Sequence, residues 1–339
     1  MDGFAFVQAM LESAVAEGIF PAAAAAWGRG DRDPEYRYAG EANADTLFDV
    51  ASLSKILGPT MLALKGLENG LLTLEDTVGD FLPAPPDKAG IKLRQLLTHT
   101  AGFEPTYRLD ETVSDPALAA EDILRRPLQS SGGAPVYSCI GFILLGMMLE
   151  ARFAKPLDTL VRDEVFIPLG MGRTGYGPLT GAAAGACAPT EADPVTGVAW
   201  RGTVHDENAR FLGGVSGNAG IFSDIRDMAR FAFMLAQGGG DYLKPATLRA
   251  AIVNRTPGYP ERRGLGFQLA GPETFFGDLF PDSAFGHTGF TGTSLAVDPE
   301  TGFYVVLLTN RVHPTRENVR HLRFRRALHN RMYAALSRK

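Results

Sequence analysis

Strand-like sequence gathers at the two ends of this chain, and that placement more than any other feature decides what it can fold into. Near the start, AAAAAWGRG and YRYAGEA read as two strands separated by a polar turn around Asp31 to Pro34. Near the other end, SAFGHTGFTGTSLAVDPETGFYVVLLTN supplies three more: one around Phe285 to Thr288, then TSLAVD and FYVVLLTN joined by the turn PETG. Between the ends the chain reads mostly as helix. GLENGLLTLEDTVGDFLP and IKLRQLLTHTAGF alternate short helices with Gly and Pro punctuation, and YSCIGFILLGMMLEARF, from Tyr137 to Phe153, is an apolar helix. Strands from both termini therefore have to share one sheet. The pattern predicts an α+β fold: an antiparallel sheet built from both termini with flanking helices, plus a mostly helical lobe. Residues 1–60 and 270–339 would form the discontinuous sheet domain and residues 61–269 the helical one, with the active site in the cleft between them.

A fold of that size needs an apolar core, and 45% of the 339 residues are hydrophobic against 21% charged. The 33 basic and 38 acidic side chains leave a net charge of -5 and a pI of about 5.7, so no global charge draws the chain to nucleic acid or to an anionic membrane. The stretch from Pro314 to Lys339 departs from that balance, with many arginines and the single acidic residue Glu317. Its helical spacing puts Val319, Leu322, Leu328, Met332 and Leu336 on one apolar stripe, which predicts a closing helix docked by that stripe rather than a polyanion-binding arm. Nothing in the sequence pairs the two cysteines, Cys139 and Cys187. The N-terminal segment has no basic n-region and carries Asp2, Glu12 and Glu17, so it reads as an amphipathic helix and then a strand rather than a secretory signal. With no uninterrupted apolar run of about 18 residues, no membrane span is expected. These features predict a cytoplasmic protein, or a periplasmic or secreted one if a leader has been removed.

Three short stretches carry the chemistry. FDVASLSKILGPTMLAL, Phe48 to Leu64, places a lysine three residues after a serine in an apolar, helix-prone run. On a helix the two share a face, about 5 to 6 Å apart between Cβ atoms. Burial lowers the pKa of a lysine, so Lys55 could take the proton of Ser52 and make it a nucleophile. Roughly one S-x-x-K arises by chance in a chain this long, so the motif needs company. Tyr137-Ser138-Cys139 and His287-Thr288-Gly289 supply it, together with LLTHTAGF, the glycine-rich LGGVSGNAGIFS from Leu212 to Ser223, and HTGFTGTS. In this order and at these separations the chain resembles the serine β-lactamase and penicillin-binding-protein superfamily, in particular its class C β-lactamase-like branch of DD-peptidases and esterases. The resemblance extends over nearly the whole chain.

That resemblance implies Ser52 as nucleophile near a helix N-terminus, Lys55 as the group that takes or relays its proton, and Tyr137 as a second proton-transfer group, with His287 beside them. The backbone N–H groups of Ser52 and Phe290 would form the oxyanion hole. Cys139, Thr288 and Gly289 would contact substrate, the glycine leaving room beside the strand. Two positions depart from the family pattern. Cys139 stands where asparagine is usual, and a thiol is a poor substitute for an amide that hydrogen-bonds a substrate carbonyl. His287 stands where β-lactamases usually have lysine, which makes the charge that would receive a substrate carboxylate pH-dependent. Other motifs read as structural. GGVSG at Gly213 to Gly217 recurs in part in the nucleophile elbow, but Asn218 occupies the place of its last glycine, and Ser216-Gly217-Asn218 belongs to a cleft wall. His205-Asp206-Glu207-Asn208 is expected to cap a loop and hold no metal, and His99 to lie buried and hydrogen-bonded beneath the site.

The expected protein is thus a serine hydrolase that works through an acyl-enzyme without metal or cofactor, on a small-molecule ester, amide or short D-amino-acid peptide. Esterase-type or small-amide hydrolysis ranks first, because a cytoplasmic location separates the enzyme from cell-wall peptide and Cys139 weakens peptide recognition. D-Ala-D-Ala carboxypeptidase or D-amino-acid peptidase activity follows, then weak β-lactamase activity. A non-catalytic penicillin-binding-like protein is the reading outside enzymes.

Overall fold

The computed structural model describes residues 4–30, 32–272 and 274–336. Within them, strands β1 (Ala22–Arg29), β2 (Glu35–Gly40), β6 (Gln268–Leu269), β7 (Phe285–Thr288), β8 (Ser294–Asp298) and β9 (Phe303–Thr309) form a six-stranded sheet in the order β2-β1-β9-β8-β7-β6. Every neighbouring pair is antiparallel. β1 and β9 pair from Ala23↔Thr309 to Arg29↔Phe303, which joins the two ends of the chain as the sequence predicts. Asp31 of the predicted polar turn, Asp2, and residues 337–339 of the basic C-terminal segment lie outside the described residues.

The five alanines of β1 form a strand although alanine favours helix, because both faces of the strand are covered. Ala22, Ala24 and Ala26 face a core shared with the helix Ile225–Ala236, and Ala23, Ala25 and Trp27 face a second core shared with the helices Phe6–Ala16 and His321–Leu336. The sheet layer therefore draws on residues 225–236 from the middle of the chain as well as on the two termini. The apolar helix Cys139–Phe153 packs against Pro59–Glu68 and Leu93–Leu97 in the helical part. Among the described residues no helix is long and apolar enough to cross a membrane.

The C-terminal helix docks as expected at Leu328 and Met332, which are fully buried. The stripe fails at its start, where Val319 and Leu322 are 59% and 47% exposed. The reason is position: the segment there crosses the mouth of a cleft instead of the sheet, and both side chains line the chamber described below.

A smaller sheet in the order β3-β5-β4 sets the site. It joins β3 (Phe48–Asp49), β4 (Gly175–Tyr176) and β5 (Ile221–Ser223), so the residues just before Ser52 are held by the glycine-rich stretch around residue 220.

Candidate active site

The local fold of Phe48–Leu57 is a sharp turn rather than a continuous helix. Asp49 is buried, with Oδ1 accepting from the Ala51 N–H at 2.8 Å and Oδ2 from the His205 N–H at 2.8 Å. These bonds hold Ala51 at φ +47°, a left-handed conformation that costs a non-glycine residue about 1 to 3 kcal/mol. Ser52 follows in one turn of 3-10 helix, Ala51–Leu53, and the α-helix begins only at Ser54. The sequence pattern places Ser52 and Lys55 on one helix; the structure still brings them together, with Lys55 Nζ 3.0 Å from Ser52 Oγ.

Lys55 is wholly buried, and its Nζ also donates to the Asn218 carbonyl at 2.9 Å and approaches Cys139 Sγ at 3.5 Å. Three acceptors match the three N–H bonds of an ammonium. Burial alone would push this amine down, but the Cys139 thiol, the Tyr137 phenol and the Asp206 carboxylate oppose it, and the net direction is up. The net direction runs away from the neutral amine that would take the Ser52 proton directly, and the acidic groups around Lys55 are the reason.

Tyr137 lies two residues before the helix Cys139–Phe153, and its ring is packed on several sides. The His99 ring is 4.7 Å away between centroids and the His287 ring 5.9 Å, while Lys55 Nζ and Arg263 Cζ lie 5.0 and 5.2 Å from the Tyr137 centroid. His99 is buried as expected, and its Nδ1 accepts the Ser138 N–H at 3.1 Å, which fixes the approach to the helix. His287 is also buried, with Nδ1 2.8 Å from the Thr288 carbonyl. Burial first, then Arg263 and Lys55, hold its imidazole well below the usual histidine range. His287 is therefore uncharged at neutral pH and supplies no switchable cation for a substrate; the cations beside Tyr137 are Lys55 and Arg263, the second a residue no sequence motif marks.

Four histidines share this behaviour. Burial holds His99 and His287 well below the ordinary value, and pushes His321 and His329 down to about 3. Each takes up a proton near pH 6.5 once unfolded, so their contribution to stability is full above that pH and is lost as pH falls below it. The slope is about 1.4 kcal/mol per pH unit for each histidine. The urea midpoint should accordingly drop between pH 7.5 and pH 5.5; a constant midpoint would mean that these imidazoles accept protons inside the fold.

The remaining predicted residues converge on two chambers that meet at Ser52. One, of about 460 Å³, is lined by Ser52, Tyr137, His287, Thr288, Gly289 and Phe290 and extends to the C-terminal helix. The other, of about 320 Å³, is lined by Ser52, Tyr137, Cys139 and Phe290 with Arg108, Asp206, Glu207 and Arg316. Among the described residues the Phe290 N–H donates to no backbone carbonyl, and the Ser52 N–H stands at the start of a helical turn, where amides lack intrahelical partners.

Gly289 lines the larger chamber and carries a second constraint. A Cβ there would come within 2.1 Å of Thr293 Oγ1 and 2.4 Å of the Val50 carbonyl oxygen, so its missing side chain also admits the nucleophile turn. Thr291 Oγ1 and Thr293 Oγ1 donate to the Asp49 and Val50 carbonyls at 2.7 and 3.1 Å and lock the same contact. Gly289→Ala is expected to cost about 1 to 3 kcal/mol through overpacking, read as a lower urea midpoint.

The other motifs fall where the sequence suggests, with one addition. Asp206 Oδ1 accepts the Ala209 N–H at 2.8 Å and caps Glu207–Phe211, while His205 Nε2 lies 2.7 Å from Glu191. Among the described residues no group of three His, Cys, Asp or Glu could hold a metal ion. Ser216 is buried and bonded to Asn218 Oδ1 at 2.7 Å, as befits a wall rather than a nucleophile. The addition is that Asp206 and Asn218 serve Lys55, one by charge and one by its carbonyl. Asp206 stood in a conspicuous polar cluster; a backbone carbonyl has no signature in sequence.

The Beta-lactamase family profile matches residues 7–330. A protein of Salmonella typhi named "Putative D-alanyl-D-alanine carboxypeptidase" is 31% identical over 307 residues, covering 80% of this chain and 71% of that protein. Among solved structures, a beta-lactamase/D-alanine carboxypeptidase from Pseudomonas syringae superposes with a TM-score of 0.79 at 18% identity, over 100% of this chain and 99% of that one. EstCE1, a hydrolase with promiscuous acyltransferase activity, does so with a TM-score of 0.76 at 23% identity, over 96% and 97%. At those identities the two structures are alike in fold.

Proposed function

This chain belongs to the beta-lactamase family of serine hydrolases, and from that premise we propose that it hydrolyses small esters or amides through an acyl-enzyme on Ser52. The observation that carries the reading is the 3.0 Å contact from Lys55 Nζ to Ser52 Oγ beneath two substrate-sized chambers. In the reaction, Ser52 Oγ attacks the carbonyl and its proton passes to Tyr137 acting as the phenolate, beside the Lys55 ammonium 5.0 Å from its ring, because Lys55 already holds its full set of protons. The Lys55 ammonium steadies the developing charge on Oγ, and the N–H groups of Ser52 and Phe290 hold the oxyanion. Tyr137 returns the proton to the leaving group, and water then releases the acid by the same path reversed.

Esters and small amides come first because the position of the usual asparagine is occupied by Cys139, whose thiol is turned to Lys55 at 3.5 Å. The charged lining of the smaller chamber, Arg108, Asp206, Glu207 and Arg316, favours a short or polar acyl group over a fatty one. D-Ala-D-Ala carboxypeptidase activity is the second reading, supported by the name of the 31% identical relative.

The deciding experiment compares p-nitrophenyl esters from acetate to octanoate with release of D-alanine from a peptide ending in D-Ala-D-Ala. Faster turnover of the short esters, judged by kcat/KM, is the expected result. Faster release of D-alanine would put the carboxypeptidase first, and stoichiometric acylation without turnover would leave a binding protein.

A further inference from the structure

The loop that carries Phe290 is gripped by a buried arginine to which no sequence motif points. Arg311 lies two residues after β9 and is 4% exposed. Its guanidinium spends its donors on carbonyl oxygens: Nε donates to Phe290 at 2.8 Å, and Nη1 to Arg316 and Asn318 at 2.6 and 3.3 Å. The same group lies 4.3 Å from the centroid of the Phe290 ring, and the Arg311 backbone N–H donates to the Thr291 carbonyl at 3.0 Å. One residue therefore holds the backbone and the ring of Phe290 and ties both to the segment just before the chamber-lining Val319.

The loop is built around that arginine. Gly292 has φ +100°, and a Cβ there would come within 2.7 Å of Arg311 Cγ and 2.1 Å of Thr309 Oγ1, so only glycine lets the arginine stem cross the loop this closely. Thr309 Oγ1 adds a bond to the Thr291 carbonyl at 3.2 Å. Thr291 and Thr293 in turn tie the loop to the nucleophile turn at Asp49 and Val50. Phe290 stands ahead of both threonines with a side chain 48% exposed, so those bonds and its packing leave the direction of its N–H open. An oxyanion hole assembled from two segments works only when both N–H groups point at one oxygen.

We propose that Arg311 is a positioning residue of the reaction: by clamping the carbonyl and the ring of Phe290, it keeps the Phe290 N–H aimed at the oxyanion that forms when Ser52 attacks. The catalytic half of this assignment rests on the hydrolase reading above; the clamp itself does not. A guanidinium suits the task because its fixed fork serves Phe290 through Nε and residues 316 and 318 through Nη1 at once, which an ammonium on a flexible stem does not reproduce. The effect is worth having, since a misplacement of about 1 Å can cost about a hundredfold in rate.

The test compares p-nitrophenyl acetate with its thiono analogue, which carries C=S in place of C=O, on the full chain and on Arg311→Lys and Arg311→Met. Sulfur is a weak hydrogen-bond acceptor, so the thiono ester gains little from the paired N–H groups. Arg311→Lys should lower kcat/KM for the oxygen ester about tenfold or more, mostly through kcat, and the preference for the oxygen ester over the thiono ester should fall at least about threefold. Arg311→Met should go further on both counts. A merely structural loss would slow both esters together and leave the preference where it was. Hydrogen exchange supplies a readout that needs neither turnover nor a folded variant: the N–H groups of Gly289 and Gly292, bonded to the Thr293 and Gly289 carbonyls at 2.8 and 3.0 Å, should exchange slowly in the wild type. In the variants they should exchange about tenfold faster or more, with the helix Cys139–Phe153 unchanged. Fast exchange of these two groups in the wild type, an unaltered ester preference, or a loss confined to KM in a folded variant would each overturn the proposal. Failure of the wild type to turn over either ester, with the exchange results as expected, would instead sink the hydrolase reading and the catalytic half with it, and leave the clamp standing.

Discussion

Ser52→Ala is expected to lower kcat/KM for p-nitrophenyl esters by about a thousandfold or more, the effect of removing the atom proposed to form the acyl bond. The side chain lost is a single hydroxyl at the mouth of both chambers, so the strained turn at Ala51, held by Asp49 and not by Ser52, should survive. Folding is checked by circular dichroism and the urea midpoint, and acylation by the mass of the protein after incubation with ester. Loss of turnover together with loss of the mass increment is the expected pair of results. Equal rates in wild type and variant would remove Ser52 as nucleophile and point to background hydrolysis or a different group.

Tyr137→Phe is expected to reduce turnover by about a hundredfold or more while leaving the fold intact. The phenyl ring keeps the packing against His99 at 4.7 Å and His287 at 5.9 Å, so what is lost is the phenol oxygen alone. The prediction follows from the charge state of Lys55. A lysine that donates to three acceptors has no lone pair to offer, so the proton of Ser52 needs another destination. An unchanged rate, or one that falls only through KM, would return the base to Lys55. Single-turnover acylation separates these cases, because a proton-transfer group acts on the chemical step itself.

Legibility of the site followed the range of the interaction concerned. Ser52 and Lys55 are three residues apart, and any tight helical turn brings them together, so an α-helix read where a 3-10 turn lies cost nothing in the result. Val319 and Leu322 had the right spacing for docking and still face the cleft, because spacing reports which residues share a face and not what that face meets. Gly289 lines the chamber, but its sequence context gave no hint of a second constraint. Its constraint comes from Val50 and Thr293, and one of these is more than two hundred residues away along the chain.

By itself the sequence determined that strands from both termini share one sheet, because alternation and turn residues gather at the two ends with helical periodicity between; the pairing of β1 with β9, the edge strand β6 and the smaller sheet appeared only in three dimensions. It also singled out the candidate residues, because their order along the chain is legible without coordinates. Only the tertiary structure decided their charge states. Whether Lys55 is an ammonium and His287 a neutral imidazole depends on burial and on Cys139, Asp206 and Arg263, which lie 84, 151 and 24 residues away from the groups they act on. Electrostatic energy depends on distance in space and on exclusion of water, and neither is written in the spacing of residues along a chain.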